Sequence, residues 1–183
     1  MFDVDKAAAA YLKFMEACDV PTDTAHAQDT PRRVANMFHE FTAGLRKPEF
    51  NFTAFPKTKR KHYDQLILEK GIPYSSLCAH HHAIFTGVAH VAYLPDTLII
   101  GASKIIRAVK WVAAQPTIQE DLIEDLAELL MKQLKPLALC IYMSAEHQCI
   151  ASRGIRTPGV QLVTTAFRGT GLSMKSEFLQ LIQ

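Results

Sequence analysis

The chain is poor in the features that mark several whole classes of protein. Only four of its 183 residues are cysteine, too few for the disulfide framework of a small secreted scaffold. The longest nearly continuous apolar run, residues 137–143, is far short of the ~18 residues a membrane span requires, so no membrane partner is expected. Neither sign of charge dominates. Twenty Lys plus Arg stand against 18 Asp plus Glu, a formal +2, and a balance so near neutral does not demand a nucleic-acid partner. No internal repeat is present, which sets aside solenoids and propellers. The opening Met1-Phe2-Asp3-Val4-Asp5 is acidic where a secretory leader would be basic, so a cytoplasmic chain is expected, with thiols kept reduced.

What is present is ordinary globular material, 49% apolar and 21% charged, at a length suited to one domain. Residues 4–18 carry Val4, Ala8, Tyr11, Leu12, Met15 and Cys18 at helical spacing. A second helix begins with Asp29 or Thr30 as N-cap and Pro31 in its first turn, and its apolar face of Val34, Met37, Phe38 and Phe41 runs to Gly44. Residues 46–62 lose periodicity, and the basic run Lys57, Lys59, Arg60, Lys61, His62 reads as a solvated loop. Strand patterns follow at 65–68 and 83–94. Residues 103–114 turn helical, with Ile105, Ile106, Val109 and Val112 inward. A longer helix spans 117 to about 135 on Ile118, Leu122, Leu126, Leu129, Leu130 and Leu134, and Pro136 stops it. Strands at 137–145, 149–153 and 160–167 and a short helix at 176–182 complete the chain. Strands and helices are grouped rather than alternating, which predicts α+β with a mainly antiparallel sheet. The division expected is a helical region over 1–50 and a catalytic region over 51–183, forming one functional unit.

The densest chemical signal is Cys78-Ala79-His80-His81-His82, with His147-Gln148-Cys149 far downstream. The Cys78 thiolate and the His81 imidazole can converge on one ion if the backbone turns between them, and Cys149 can supply a third ligand across the sheet. Sulfur with imidazole favours zinc. Three protein ligands leave a position for water, the catalytic arrangement; a closed structural site with His147 or His82 as fourth ligand stays open. Cys18 and Cys140 have no such company and are expected in the core. A second signal is Gly101-Ala102-Ser103-Lys104-Ile105-Ile106-Arg107, where a helix start with two cations makes an anion site, although an ordinary N-cap at Ser103 explains it as well. Arg153 and Arg156 around Gly154 would add to it. Thr117-Ile118-Gln119-Glu120 matches a capping box; its carboxylate can equally face a cleft and accept from a guanine edge.

These segments, in this order, resemble the GTP cyclohydrolase I family. The likeness runs from Asp29-Thr30-Pro31-Arg32-Arg33-Val34-Ala35 through Phe55-Pro56-Lys57, Cys78-Ala79-His80-His81, Gly87 to Pro95, Gly101 to Arg107, Gln119-Glu120, His147-Gln148-Cys149 and Arg153-Gly154-Ile155-Arg156 to Glu177-Phe178-Leu179. It implies one zinc held by Cys78, His81 and Cys149, with water adding to C8 of GTP, ring opening, loss of formate and reclosure to 7,8-dihydroneopterin triphosphate. His80 then corresponds to a proton donor and His147 to a second proton carrier. Glu120 corresponds to the guanine anchor with Gln119 beside it, Ser103 to a residue near ribose and phosphates, and Lys104, Arg107, Arg153 and Arg33 to cations on the triphosphate. The resemblance further implies the tunnelling fold (T-fold), an antiparallel sheet with helices on one side, closed into a barrel by a homo-oligomer, a decamer in most members, with sites between subunits. Three positions depart from the pattern: Ala79 stands where many members have Glu, Asn36 where some have Lys, and His82 adds an imidazole. They keep open a GTP-binding relative that stops after ring opening or holds only a structural zinc.

Overall fold

A computed structural model describes residues 1–46, 48–57 and 63–183. In chain order the elements are α1 (Val4–Ala17), α2 (Thr30–Phe41), β1 (Ala54–Pro56), β2 (Ile67–Cys78), β3 (Ile84–Leu94), β4 (Leu98–Ile100), α3 (Ala102–Ala113), β5 (Pro116–Thr117), α4 (Gln119–Leu134), β6 (Ala138–His147), α5 (Gln148–Ala151), β7 (Gln161–Gly169) and α6 (Lys175–Ile182). The main sheet has the order β5-β2-β3-β6-β7, and only the two-residue β5 pairs in parallel. A small β1-β4 ribbon stands apart. The α+β class and the antiparallel sheet are as expected.

Helices α3 and α4 lie on one face of the sheet because each presents a continuous apolar stripe there. Ile105, Val109 and Val112 of α3 and Leu122, Leu126, Leu130 and Leu134 of α4 are buried with Val91, Tyr93, Leu139, Ile141 and Met143 of the strands. Alternation sends the intervening strand residues to the opposite face. There Ala92 and Cys140 bury under Phe178 of the short α6. Ile106, expected inward, is 36% exposed; Ala108 and Ala113 take the buried places beside the stripe instead.

The N-terminal region is more exposed than its periodicity suggested. Of the stripe on α1 only Met15 is buried, and Cys18, expected in the core, is exposed. Cys18 is the C-cap of α1, and Asp19 turns left-handed at φ 55° directly after it. Cys140 is buried as expected. Phe2, Ala7, Ala10, Tyr11 and Phe14 instead face Val34, Ala35 and Phe38 across an apolar groove of about 410 Å³ between α1 and α2.

Four local expectations need correction. Strand β2 runs to Cys78 rather than stopping at Leu68. A bulge between Glu69 and Ile72, with Gly71 at φ 75°, interrupts the alternation, and the ladder then resumes. Residues 149–153 form the turn α5 and its exit instead of a strand, because Ser152 closes back on the Gln148 carbonyl through both its amide and its hydroxyl. The 117–120 capping box is not formed: Thr117 sits in β5 paired with Cys78, its hydroxyl meets the Ile118 carbonyl, and α4 starts at Gln119. Ser103 is inside α3, whose N-cap is Gly101. The basic run beyond Lys57 lies outside the described residues.

Candidate functional site

The site forms at the end of the sheet where β2, β5 and β6 terminate together. At Cys78 the chain reverses through Ala79–His82, with the Cys78 amide donating to the Ala83 carbonyl and the His82 amide to the Cys78 carbonyl at 2.9 and 2.8 Å. His82 adopts φ 50° to complete this turn. Reversal swings His80 and His81 back over Cys78, with each ring Nδ1 3.9 Å from the Cys78 sulfur. The Ala79 amide donates to the Thr117 carbonyl and ties the turn to β5.

Strand β6 ends beside this turn because Phe85 of β3 pairs with His147 of β6 in register. The chain then enters α5, and that single helical turn puts Cys149 next to Cys78. Ligand atoms of Cys78, His81 and Cys149 all lie within 4.8 Å of one another. Burial raises the Cys149 pKa, as do the hydrogen-bonded thiol and charge of Cys78, and Arg153 opposes them. Two thiols so close cannot both ionise comfortably without a cation between them, and that donor set suits a soft divalent ion. The structure does not add His82 to the set. Its ring packs edge-on to Phe38 of α2 at 5.6 Å.

A second group surrounds His147. The imidazole is only 8% exposed and lies parallel to the Phe85 ring, with centroids 4.4 Å apart. Its Nε2 is 3.0 Å from Oε1 of Gln119. Burial lowers the His147 pKa, and the nearby Glu120 carboxylate pulls the other way. Glu120 itself is exposed in the first turn of α4, where the helix dipole favours its negative charge. Gln119, expected beside the substrate, has no exposed surface at all. Its amide nitrogen is taken by the Met143 and Leu162 carbonyls and by Thr164 Oγ1. The side chain is thus enclosed, with its amide nitrogen already paired within the chain. Neither Phe85 nor Thr164 carries a motif in the sequence, and only the strand register brings them here.

The cations divide. Arg153 lies at the cluster, its Nη1 3.2 Å from His81 Nε2. Ser103, Lys104 and Arg107 sit toward the other end of α3 from Gln115, whose carbonyl bonds Ser76 beside the Cys78 strand end. At 1.5 Å per residue, Ser103 is about 15 Å and Arg107 about 9 Å of helix axis from Ala113. Arg33 pairs with Asp29 one turn away on exposed α2. Among the described residues, none of these four forms a hydrogen bond or ion pair to the cluster.

The chain is similar to known proteins over nearly its whole length. The model of the GTP cyclohydrolase I family matches residues 7–183. The GTP cyclohydrolase 1 of a Hydrogenobaculum species is 37% identical over 186 residues, covering all of both chains. That of Listeria monocytogenes is 41% identical over 99% of this chain and 97% of its own, and that of Streptococcus pyogenes 39% identical over 94% and 89%. A crystal structure of the archaeosine synthase QueF-Like in the apo form covers 59% of this chain and 97% of its own, with 17% identity and a TM-score of 0.49.

Proposed function

The chain belongs to the GTP cyclohydrolase I family, and on that premise we propose that it converts GTP and water to formate and 7,8-dihydroneopterin triphosphate with one zinc ion per site. The observation that carries this reading is the convergence of Cys78, His81 and Cys149 beside a buried His147. Cys78, His81 and Cys149 would hold the zinc. Bound there, zinc supplies Lewis acidity that brings water toward ionisation near neutral pH.

The chain's own residues do the rest. His80, on the exposed turn above Cys78, donates a proton to the imidazole nitrogen of the purine as the C8–N bond opens. His147, whose pKa burial lowers, carries protons during formate loss and rearrangement of the ribose. The exposed Glu120 carboxylate accepts from the guanine edge. Arg153 reaches the triphosphate from the cluster side, and Ser103, Lys104, Arg107 and Arg33 approach it from a neighbouring subunit. The triphosphate is not consumed, so these contacts position C8 against the metal.

This reading includes the N-terminal helical region over 1–50, the catalytic region over 51–183, a homo-oligomer closed edge to edge as a barrel, probed first for a decamer, and a reducing cytoplasmic setting that keeps Cys78 and Cys149 as thiols. Among the described residues no helix is long and apolar enough to cross a membrane. The test is incubation of zinc-loaded protein with GTP, followed by oxidation, pterin fluorescence and a formate assay. Both products are expected; formate without pterin would mean that reaction halts after formate release and before reclosure, and neither product would sink the proposal.

A further inference from the structure

We infer that Gln119 is a positioning residue that fixes the orientation and tautomer of the His147 ring, its amide oxygen accepting the hydrogen on Nε2. The inference rests on the proposed proton-carrying role of His147, and it changes what Gln119 is for.

A backbone carbonyl oxygen accepts hydrogen bonds and cannot donate them. Met143 and Leu162 present backbone carbonyl oxygens to the Gln119 amide at 3.3 and 3.0 Å, and Thr164 Oγ1 lies at 3.2 Å. Only the NH2 end of the amide can face two carbonyls; turned over, its oxygen would oppose both of them. The surroundings therefore decide the orientation of the amide. Oε1 must then point at His147 Nε2, 3.0 Å away. An amide oxygen only accepts, so Nε2 carries the hydrogen and a neutral ring keeps its lone pair on Nδ1.

Three features make this a stable lock. Gln119 is fully buried, so water does not compete for its oxygen. The Phe85 ring lies within 6° of parallel to His147 and removes the freedom to swing out of the bond. The partners of the amide come from β6 and β7, whose pairing runs through Met143–Thr164 and Ala145–Leu162, so the lock is anchored in the sheet rather than in a loop.

Neutron crystallography of the zinc-loaded protein reads the proton directly. Deuterium on Nε2 of His147, alone or with Nδ1, is expected; deuterium on Nδ1 alone would overturn the inference, whatever the activity of the protein. Kinetics give a second readout through Gln119→Met, which keeps the length and apolar bulk and removes the acceptor. With zinc content unchanged, kcat is expected to fall about 10²-fold or more while KM for GTP stays within about twofold. A raised KM with kcat intact would mean that Gln119 binds substrate, and loss of zinc from the Met variant would make it a support of the metal turn; either result overturns the assignment. A wild type inactive on GTP would defeat the proposed function, while the neutron result would still decide the lock.

Discussion

Burial and the Cys78 thiol raise the Cys149 pKa, and a backbone hydrogen bond and Arg153 oppose them. A cation between the sulfurs removes the conflict, so metal binding releases protons and should weaken as pH falls. Cys149→Ser replaces a soft ligand by a hydroxyl that does not ionise near neutral pH. The variant is expected to lose the ion and more activity than the about 10–100-fold typical of changes around an intact metal site. It should keep its fold, because the cluster hangs on a turn at the sheet end; metal analysis beside circular dichroism checks both. Glu69 gives a pH prediction far from the site. Burial raises its pKa to about 7, and one carboxylate oxygen has no partner. A folded-state pKa above the unfolded one costs nothing below about pH 4.5 and progressively destabilises as pH rises toward 7. Glu69→Gln should therefore match the parent at pH 4 and exceed it at pH 8 by about 1 kcal/mol, a figure discounted for partial exposure. Thermal melts at the two pH values decide it. The Cys78, His81 and Cys149 group was legible in the sequence because Cys and His clustered in two short segments point first to shared ligation. The burial of Gln119 was not, since its partners are backbone carbonyls that no side-chain pattern records.

The elements matter through register. Phe85 meets His147 only because β3 and β6 stay paired over ten positions, and Gly87 lies inside that stretch, where a Cβ would come within 2.0 Å of the Ser144 carbonyl oxygen and 2.7 Å of the Ala145 Cβ. Neither can withdraw without parting the ladder. Gly87→Ala is expected to cost about 2–3 kcal/mol, at the upper end for overpacking, and to lower activity through the displaced His147; urea unfolding measures the first and turnover the second. Helices α3 and α4 were readable because their stripes persist over three or more turns. The length of β2 was obscured by a bulge, Pro73 and a Ser75-Ser76 pair that break the period of two. Residues 149–153 carry a strand-like composition, but the exit through Gly154 at φ 61°, Arg156 at φ 54° and Gly159 at φ 81° forces compact turns there instead.

The whole molecule exposes more surface than a self-sufficient monomer of its mass. Its accessible area is 10930 Å², whereas a 20.4 kDa monomer should expose about 8,800 Å². The excess lies partly on an open edge: β7 ends the sheet, and Val160, Leu162 and Val163 there are 36–50% exposed, an arrangement that invites pairing with another chain. The separation along α3 points the same way. Within one chain the Cys78, His81 and Cys149 group and the Ser103, Lys104 and Arg107 group lie toward different ends of that helix, and on the proposed reading a single triphosphate reaching both draws on two subunits. Complementation tests this without knowledge of the assembly size. Cys149→Ser lacks the metal half of a site and Lys104→Ala weakens the cation half, so each variant alone should be nearly inactive. Dissociated and reassembled together in equal amounts, they should form intact composite sites at roughly a quarter of positions by random mixing in a symmetric oligomer. Recovery toward that fraction of wild-type turnover is expected. Mixed assemblies, verified by mass spectrometry, that stay as inactive as their parents would mean that each chain builds its site from its own residues, and α3 would then have to swing its first turn toward Cys78 on binding GTP.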